Sequence, residues 1–377
     1  MYTHQSLVYC LRYIYFSATT CDGDNNNHRM FVLENTNPDP LQGSFTWKGK
    51  ITDSTDKWAI DGTVFNHPPG GLHFVWSGWP GDVNIKQNLY IAEMSNPWTI
   101  SSERVEIATP TYPWETNTNP TVNEGPEVTI RNNVISLVYS ASGSWTNTYC
   151  LGLITALNTS DLMKASSWHK RPNPIFQSAN DILAPGHHSL TISPDGKEDW
   201  IFYHSARYNG SGWDRQIRAQ RFTWNADSTP NLGEPAPRNS PIPIPSGEPL
   251  RDRYEVEDGR FIDGPSAIND STASNHMKVG YIGQTGSRVI VTIECTKSGT
   301  YMIVIRNGNG SAGKAAATHR LSINGEAEID VDIVYSGWDM WGASMIRANL
   351  TQGRNTLTFR KGDNYAELDE IDVFPDS

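Results

Sequence analysis

An all-β chain is what this sequence predicts, and three observations predict it. Apolar residues recur in short alternating runs and almost never at helical spacing: "RYIYFSA", "GLHFVWSG", "NLYIAEM", "VISLVYSAS", "YCLGLIT", "DWIFYHSA" and "RAQRFTW". Turn residues separate the runs, as in "PPGG", "RNN" and "SPDG". A strand that ends on an aromatic ring followed by serine recurs as "VWSGW", "VYSAS" and "FYHSA". Repetition of one strand unit points to a β-propeller over residues 1–235 rather than a sandwich.

Taken in order, the chain opens with "MYTHQSLVYCLRYIYFSATT". This has no basic segment followed by a clean apolar run, so no signal peptide is read in it, and the chain starts as if inside a strand. Residues 236–252, close to the stretch "PAPRNSPIPIPSGEPL", are rich in proline and lack periodicity, which predicts a semi-rigid linker. Residues 253–377 then give alternating runs ("SRVIVTIEC", "GTYMIVIRNG", "NTLTFRKG", "AELDEIDVF") between Gly and Asn turns, the pattern of a β-sandwich.

Composition narrows the function. The chain of 377 residues carries 41 acidic against 30 basic residues, a net charge of −11. Phosphate backbones require a basic surface, so a nucleic-acid partner is not expected. No run approaches the about 18 apolar residues of a membrane span. The 13 Trp and 15 Tyr on a polar chain suit stacking on sugar faces, although most will be core. Cys10, Cys21, Cys150 and Cys295 fit neither a zinc site nor a CxxC motif, and a Cys10–Cys21 pair is one of three connectivities. Sequons at Asn158, Asn209, Asn269, Asn309 and Asn349 are compatible with secretion.

Three polar motifs stand just ahead of strands in different units: Asp61 in "AIDGTVF", Glu124 in "TVNEGPEV", and His187-His188 in "APGHHSL". Inner propeller strands converge on the axis, so such residues can meet in one pocket. Taken alone, Glu124 ahead of Gly-Pro reads as a solvated loop acid and Asp61 ahead of Gly as a turn residue. In order and spacing these motifs, with "YCLGLIT…DLMKASSWHKRPNPIF" and "DRQIRAQRFTWNADSTPNLGEP", resemble glycoside hydrolase family 43 over residues 13–236. The resemblance implies a five-bladed propeller and an inverting α-L-arabinofuranosidase or β-xylosidase. It makes Glu124 the general acid and Asp61 the carboxylate that tunes it. It places His187 near the axis, with a possible ion, and Arg215 (or Arg218) on the substrate. Glu127 and His188 read as structural. Trp58, Trp76, Trp79 and Trp145 are candidates for a sugar-stacking wall, with Trp76 carried as substrate-binding.

One part of the pattern is missing. The family's general base is an Asp in the first blade, ahead of the stretch resembling "YIYFSA". Asp22, Asp24, Asp39, Asp53 and Asp56 all lie after that stretch, and none stands in a matching context. The expectation is therefore a chain that starts too late, with an incomplete first blade and impaired hydrolysis. A binding protein without catalysis is the alternative.

Residues 253–375 resemble a family 35 carbohydrate-binding module, with similarity to family 6. "YEVEDG", "GTYMIVIRNGNG", "YSGWDMWG" and "AELDEIDVF" carry the likeness. It implies a structural Ca²⁺ on Glu255, Glu257 and Asp369, with Asp372 a weaker option, and a sugar site on Tyr335, Trp338 and Trp341, with Asn364 beside them. Carboxylate oxygens suit that hard cation. The natural protein is expected to be extracellular and monomeric, acting on plant cell-wall polysaccharide such as arabinoxylan or arabinan.

Overall fold

The computed structural model describes residues 3–8, 11–20, 23–40, 42–68, 70–238 and 240–376. The suggested Cys10–Cys21 pair and Asp22 lie outside them. Cys150 and Cys295 are buried free thiols. The chain forms two compact units, Met1–Gly247 and Glu248–Ser377, and among the described residues every long element is a strand.

The first unit is a series of antiparallel blades. The first comprises β1 (Thr3–Val8), β2 (Leu11–Ala18), β3 (Arg29–Asn35) and β4 (Thr46–Ile51). The second comprises β5 (Ala59–His67), β6 (Gly71–Gly78) and β7 (Lys86–Asn96), with the short β8 (Thr99–Ile100) and β9 (Val105–Ala108) both on β7. The third is β10 (Thr121–Arg131), β11 (Val134–Ala141), β12 (Cys150–Leu157) and β13 (His169–Lys170). The fourth is β14 (Leu183–Ile192), β15 (Asp199–Ala206), β16 (Arg215–Trp224) and β17 (Pro230–Asn231). A short parallel contact of β10 with β7 joins the second and third blades. The first blade has a fourth strand after all: β1 pairs with β2 in a continuous register, and it contains no Asp or Glu.

Alternation decides which side chains face the next blade. Tyr13, Tyr15, Met30 and Val32 point inward from the first blade and pack with Phe74, Trp76 and Tyr90 of the second. Phe65, Val75 and Ile91 pack with Leu137, Tyr139 and Ile154 of the third. Val138, Leu151 and Leu153 pack with Ile201 and Tyr203 of the fourth. The opposite face of the first blade shows Phe16, Phe31 and Trp47 in contact with one another, with Trp47 exposed, and the fourth blade exposes Phe202 and Ile217. The stretch expected as a proline-rich linker is only partly separate. Its part up to Ser246 is fastened to the propeller, where Ser246 Oγ donates to Asp195 at 2.6 Å and Ala236 N–H donates to Gln220 at 2.8 Å.

The second unit is a two-sheet sandwich. One sheet holds β18 (Asp252–Glu255), β20 (Ser266–Asn269), β21 (Met277–Gly280), β23 (Gly299–Asn309), β26 (Gly337–Leu350) and β28 (Glu367–Pro375). The other holds β19 (Arg260–Ile262), β22 (Arg288–Cys295), β24 (Ala317–Ile323), β25 (Ile329–Ile333) and β27 (Gly353–Lys361). Val289, Val291, Ile303, Ile305, Leu357 and Phe359 fill the space between them.

Close approach fixes one glycine in the propeller. A Cβ on Gly62 of β5 would sit 2.1 Å from the Phe74 ring. Gly62→Ala is expected to lower the melting temperature of the propeller by roughly 3–10 °C through overpacking, measured by thermal denaturation.

Candidate active site

The inner strands of three consecutive blades carry the site by the same device. Each contains a bulge: the register slips between Ile60 and Thr63 in β5, between Glu124 and Glu127 in β10, and between Gly186 and Ser189 in β14. At each bulge one residue takes a left-handed backbone, Asp61 (φ 55°), Gly125 (φ 54°) and His187 (φ 48°). The residue before each pairs with the neighbouring strand: Ile60 with Ser77, Glu124 with Ser140, Gly186 with His204. Asp61, Gly125 and His187 are therefore equivalent positions. Left-handed backbone is uncommon for residues with a Cβ, and bulges gather where a side chain must be re-aimed. Residues 123–128, expected as a loop before a strand, lie inside β10 and carry its bulge.

Hydrogen bonds stitch these bulges across blades. Gly125 N–H donates to Asp61 Oδ2 at 3.1 Å. Ser77 Oγ donates to the Asn123 carbonyl at 2.9 Å, and His187 N–H donates to Ser140 Oγ at 2.8 Å. Glu124 Oε1 accepts a 2.6 Å bond from the Tyr149 hydroxyl. The His187 ring stands between the acids, its Nε2 3.7 Å from Asp61 Oδ1 and its Nδ1 4.0 Å from Glu124 Oε1. Tyr149 and His187 each stack on the ring of His204 with centroids 5.7 Å apart. Arg215 lies over Tyr149 at 5.4 Å and donates to the Ala184 carbonyl at 3.4 Å.

Burial sets the electrostatics. Glu124 is pushed up to about 7 by desolvation and then by the Asp61 charge, against the downward pull of His187, the Tyr149 hydroxyl and Arg215. Asp61 is pushed up to about 7 by burial, partly offset by the Gly125 N–H. Burial lowers His187, whose neighbour Glu124 works against the shift. A carboxyl that keeps its proton near neutrality, facing a cavity, has the properties of a general acid.

The cavity has a volume of about 780 Å³. Asp61 and Glu124 line it together with Trp58, Ile60, Trp145 and Trp213. They are its only carboxylate lining among the described residues. Asp24 caps a short 3-10 turn, Asp39 lies in a surface turn, Asp53 accepts from Thr55, and Asp56 pairs with Arg29 and Lys50.

Of the residues expected at the site, the structure brings Glu124, Asp61 and His187 together. Arg215 is not in the cavity lining and lies over the Tyr149 ring. Trp76 is not at the cavity: it is buried between Phe74 and Tyr90, because its position in β6 faces the first blade. Of the four tryptophans expected as a sugar-stacking wall, Trp58 and Trp145 line the cavity, Trp58 with its indole stacked on Trp79 at 4.7 Å and its Nε1 donating to the Asn25 carbonyl. Glu127, pushed up to about 8 by burial, accepts a 3.5 Å bond from Ser189 Oγ and does not line the cavity. Tyr149, His204 and Trp213 escaped the sequence reading. The Tyr-Cys pair opening "YCLGLIT" was the one available signal.

In the second unit, Trp338 is part-exposed, edge-on to Tyr365, and lies against Gly310. Tyr335 lies under Lys314. Trp341 is not an open platform: its Nε1 donates to Thr272 Oγ1 at 3.1 Å, and Arg306 and Lys278 lie over its ring. Among the described residues no three His, Cys, Asp or Glu side chains converge as a metal site. Asp369, expected as a ligand, is bonded to Arg306 at 2.6 Å and to the Ser274 N–H. Glu255 and Glu257 each keep one buried oxygen, Oε2, without a hydrogen-bond partner.

The pKa shifts have a thermodynamic consequence. Glu124 titrates at about 7 when folded, against an ordinary 4.5. Its neutral form supplies stability that is complete below about pH 4 and lost as pH rises through 7. Glu124→Gln, which cannot ionise, is expected to be more stable than the parent at pH 8 by on the order of 2 kcal/mol, with the gain vanishing near pH 4. Denaturant unfolding at the two pH values measures it.

The family model for glycosyl hydrolases family 43 matches residues 11–230. An extracellular exo-α-(1→5)-L-arabinofuranosidase of Streptomyces avermitilis is 40% identical over 231 residues, covering 59% of this chain and 47% of the relative. Alpha-L-arabinofuranosidase B of Pyricularia oryzae is 32% identical over 325 residues, covering 81% of this chain and 63% of the relative. The chain thus spans about half to under two thirds of the length of these relatives. The crystal structure of an α-L-arabinofuranosidase from Lactobacillus brevis superposes with a TM-score of 0.58 at 37% identity, covering 63% of this chain and 77% of that one. With the family model spanning more than half of its residues, the chain belongs to glycosyl hydrolases family 43.

Proposed function

We propose that the propeller houses a site for terminal α-L-arabinofuranosyl groups of plant polysaccharide, built for hydrolysis with inversion. The observation that carries this reading is the pair Glu124 and Asp61, both buried, both titrating near 7, and both facing one cavity. Glu124 gives its proton to the glycosidic oxygen as the bond to the anomeric carbon breaks. Asp61, fixed by the Gly125 N–H, keeps that proton in place by its charge. Tyr149 and His187 hold the carboxyl in one orientation. The relatives named as arabinofuranosidases support arabinose over xylose. Those named extracellular support secretion of the natural protein.

Inversion also needs a base about 6.5–9.5 Å from the acid to activate water. Only Asp61 and Glu124 supply carboxylates to the cavity among the described residues, and β1 has none. This favours a second reading beside the first: the chain binds its sugar and turns it over poorly, by about 10²–10⁴-fold relative to a site with its base. Release of 4-nitrophenol from the α-L-arabinofuranoside is expected to be slow, lost in Glu124→Gln, and accelerated by sodium azide, a nucleophile that needs no base. Fast release without azide contradicts the missing base. Faster release from the β-D-xylopyranoside contradicts the arabinose assignment.

For the second unit we propose a carbohydrate-binding role through Trp338 and Tyr335, and a Ca²⁺ held by Glu255 and Glu257. Their partnerless buried oxygens fit a hard cation, whereas Asp369 is already bonded to Arg306. Millimolar Ca²⁺ is expected to raise the melting temperature of the parent and leave the Glu255→Gln, Glu257→Gln double variant unchanged. Scanning calorimetry with and without EDTA reads both.

A further inference from the structure

Inversion needs one group that gives a proton to the leaving oxygen and another, across the sugar ring, that takes a proton from water. Glu124 is the first, and Asp61 is tied to the acid's own strand by the Gly125 N–H. Among the described residues that line the cavity, the one other side chain of a type that takes up a proton near neutrality is His28. It stands in the first blade, just after the 3-10 turn Asn25–Asn27 and ahead of β3. Its backbone is fixed against the strand that carries Asp61. The His28 carbonyl accepts from the Ala59 N–H at 3.3 Å, two residues before Asp61, and from Arg29 Nη1 at 2.8 Å. Asp61 is thus tied toward Glu124 through the third blade and toward His28 through the first, and all three line one cavity.

The ring is held as a base requires. His28 Nδ1 is 2.9 Å from the Asn25 carbonyl. A carbonyl oxygen only accepts, so Nδ1 carries the proton of this bond and the neutral ring keeps its lone pair on Nε2. The same carbonyl accepts from Trp58 Nε1 at 2.7 Å, and Trp58 stands edge-on to the imidazole with centroids 6.1 Å apart. Trp58 is itself buried and stacked on Trp79. One fixed carbonyl therefore sets the tautomer of the imidazole and anchors the indole beside it.

From this we infer that His28 is a general base for attack by water in this cavity. The inference rests on the arabinose reading above and names the group that carries its slow hydrolysis. His28 Nε2 takes a proton from water as the water oxygen bonds to the anomeric carbon. The bond from that carbon to the glycosidic oxygen breaks, its electron pair stays on the oxygen, and the Glu124 proton joins it. The sugar leaves with its anomeric carbon inverted, and the imidazolium and the Glu124 carboxylate are reset by proton exchange with solvent. This base turns positive as it works, beside a sugar ring that gains positive charge in the transition state, so it is poorer than a carboxylate.

The test is release of 4-nitrophenol from the α-L-arabinofuranoside by the full chain, with and without sodium azide. His28→Gln keeps a donor for the Asn25 carbonyl and loses the basic nitrogen. It is expected to lower the azide-free rate about 10²-fold while largely keeping the azide-driven rate, which needs no base. A merely structural role would lower both rates together. In His28→Ala, free imidazole is expected to restore azide-free release, which a misfolded protein could not do. Equal loss of both rates without imidazole rescue, or an azide-free rate that His28→Gln leaves intact, overturns the base assignment alone. So does a parent that releases 4-nitrophenol only with azide. No release by the parent under either condition overturns it together with the arabinose reading.

Discussion

The hydrogen bond from Gly125 N–H to Asp61 Oδ2 is the contact on which the site depends. It crosses from one blade to the next and links two equivalent bulges. It exists because both backbones turn left-handed at the same height along their strands. A regular strand at either place would send the Asp61 carboxyl or the Gly125 N–H to the wrong face. The bond also explains why the β10 carboxyl that faces the cavity is on Glu124 rather than on the bulge residue itself. In β10 that position is glycine, its N–H is committed to Asp61, and the residue before it is left to face the cavity. His187 completes the series from the next blade, and its ring lies between the two acids.

Around this frame the aromatic groups act mainly on charge. Tyr149 is buried, and its hydroxyl has one strong acceptor, Glu124 Oε1. Stacking on His204, and the Arg215 guanidinium on its ring, keep Tyr149 in place. Gly186 leaves it room, since a Cβ there would come within 2.2 Å of the ring. Raising and lowering influences thus meet at one carboxyl. Burial and Asp61 push Glu124 up, while His187, Tyr149 and Arg215 restrain it, and the balance rests near neutrality.

Much of this could be read from the sequence, and the limits have physical causes. Strands were legible because alternation reports burial directly, and the division into propeller and sandwich followed from them. Glu124, Asp61 and His187 were legible only through motif resemblance. Their bulges were not, since nothing in "AIDGTVF" or "APGHHSL" requires a left-handed Asp or His. Trp76 and Trp58 look alike as tryptophans near strand ends, but Trp58 lies just ahead of β5 and lines the cavity, while Trp76 lies within β6 on the face that packs against the first blade. Trp213 sits in a loop whose position comes from hydrogen bonds to another loop, 69 residues earlier in the case of Ser144. In the sandwich, Asp369 and Trp341 carried suitable chemistry, but Arg306 engages both. Such competition for a partner is set by packing, not by local sequence.

The central claim is that burial and a neighbouring charge keep Glu124 protonated near neutral pH. The most direct measurement is the titration of its carboxyl carbon by ¹³C NMR in selectively labelled protein, for the parent and for Asp61→Asn. The account predicts a midpoint of about 7 in the parent and a lower one once the Asp61 charge is removed. A midpoint at the ordinary glutamate value in both proteins would contradict it.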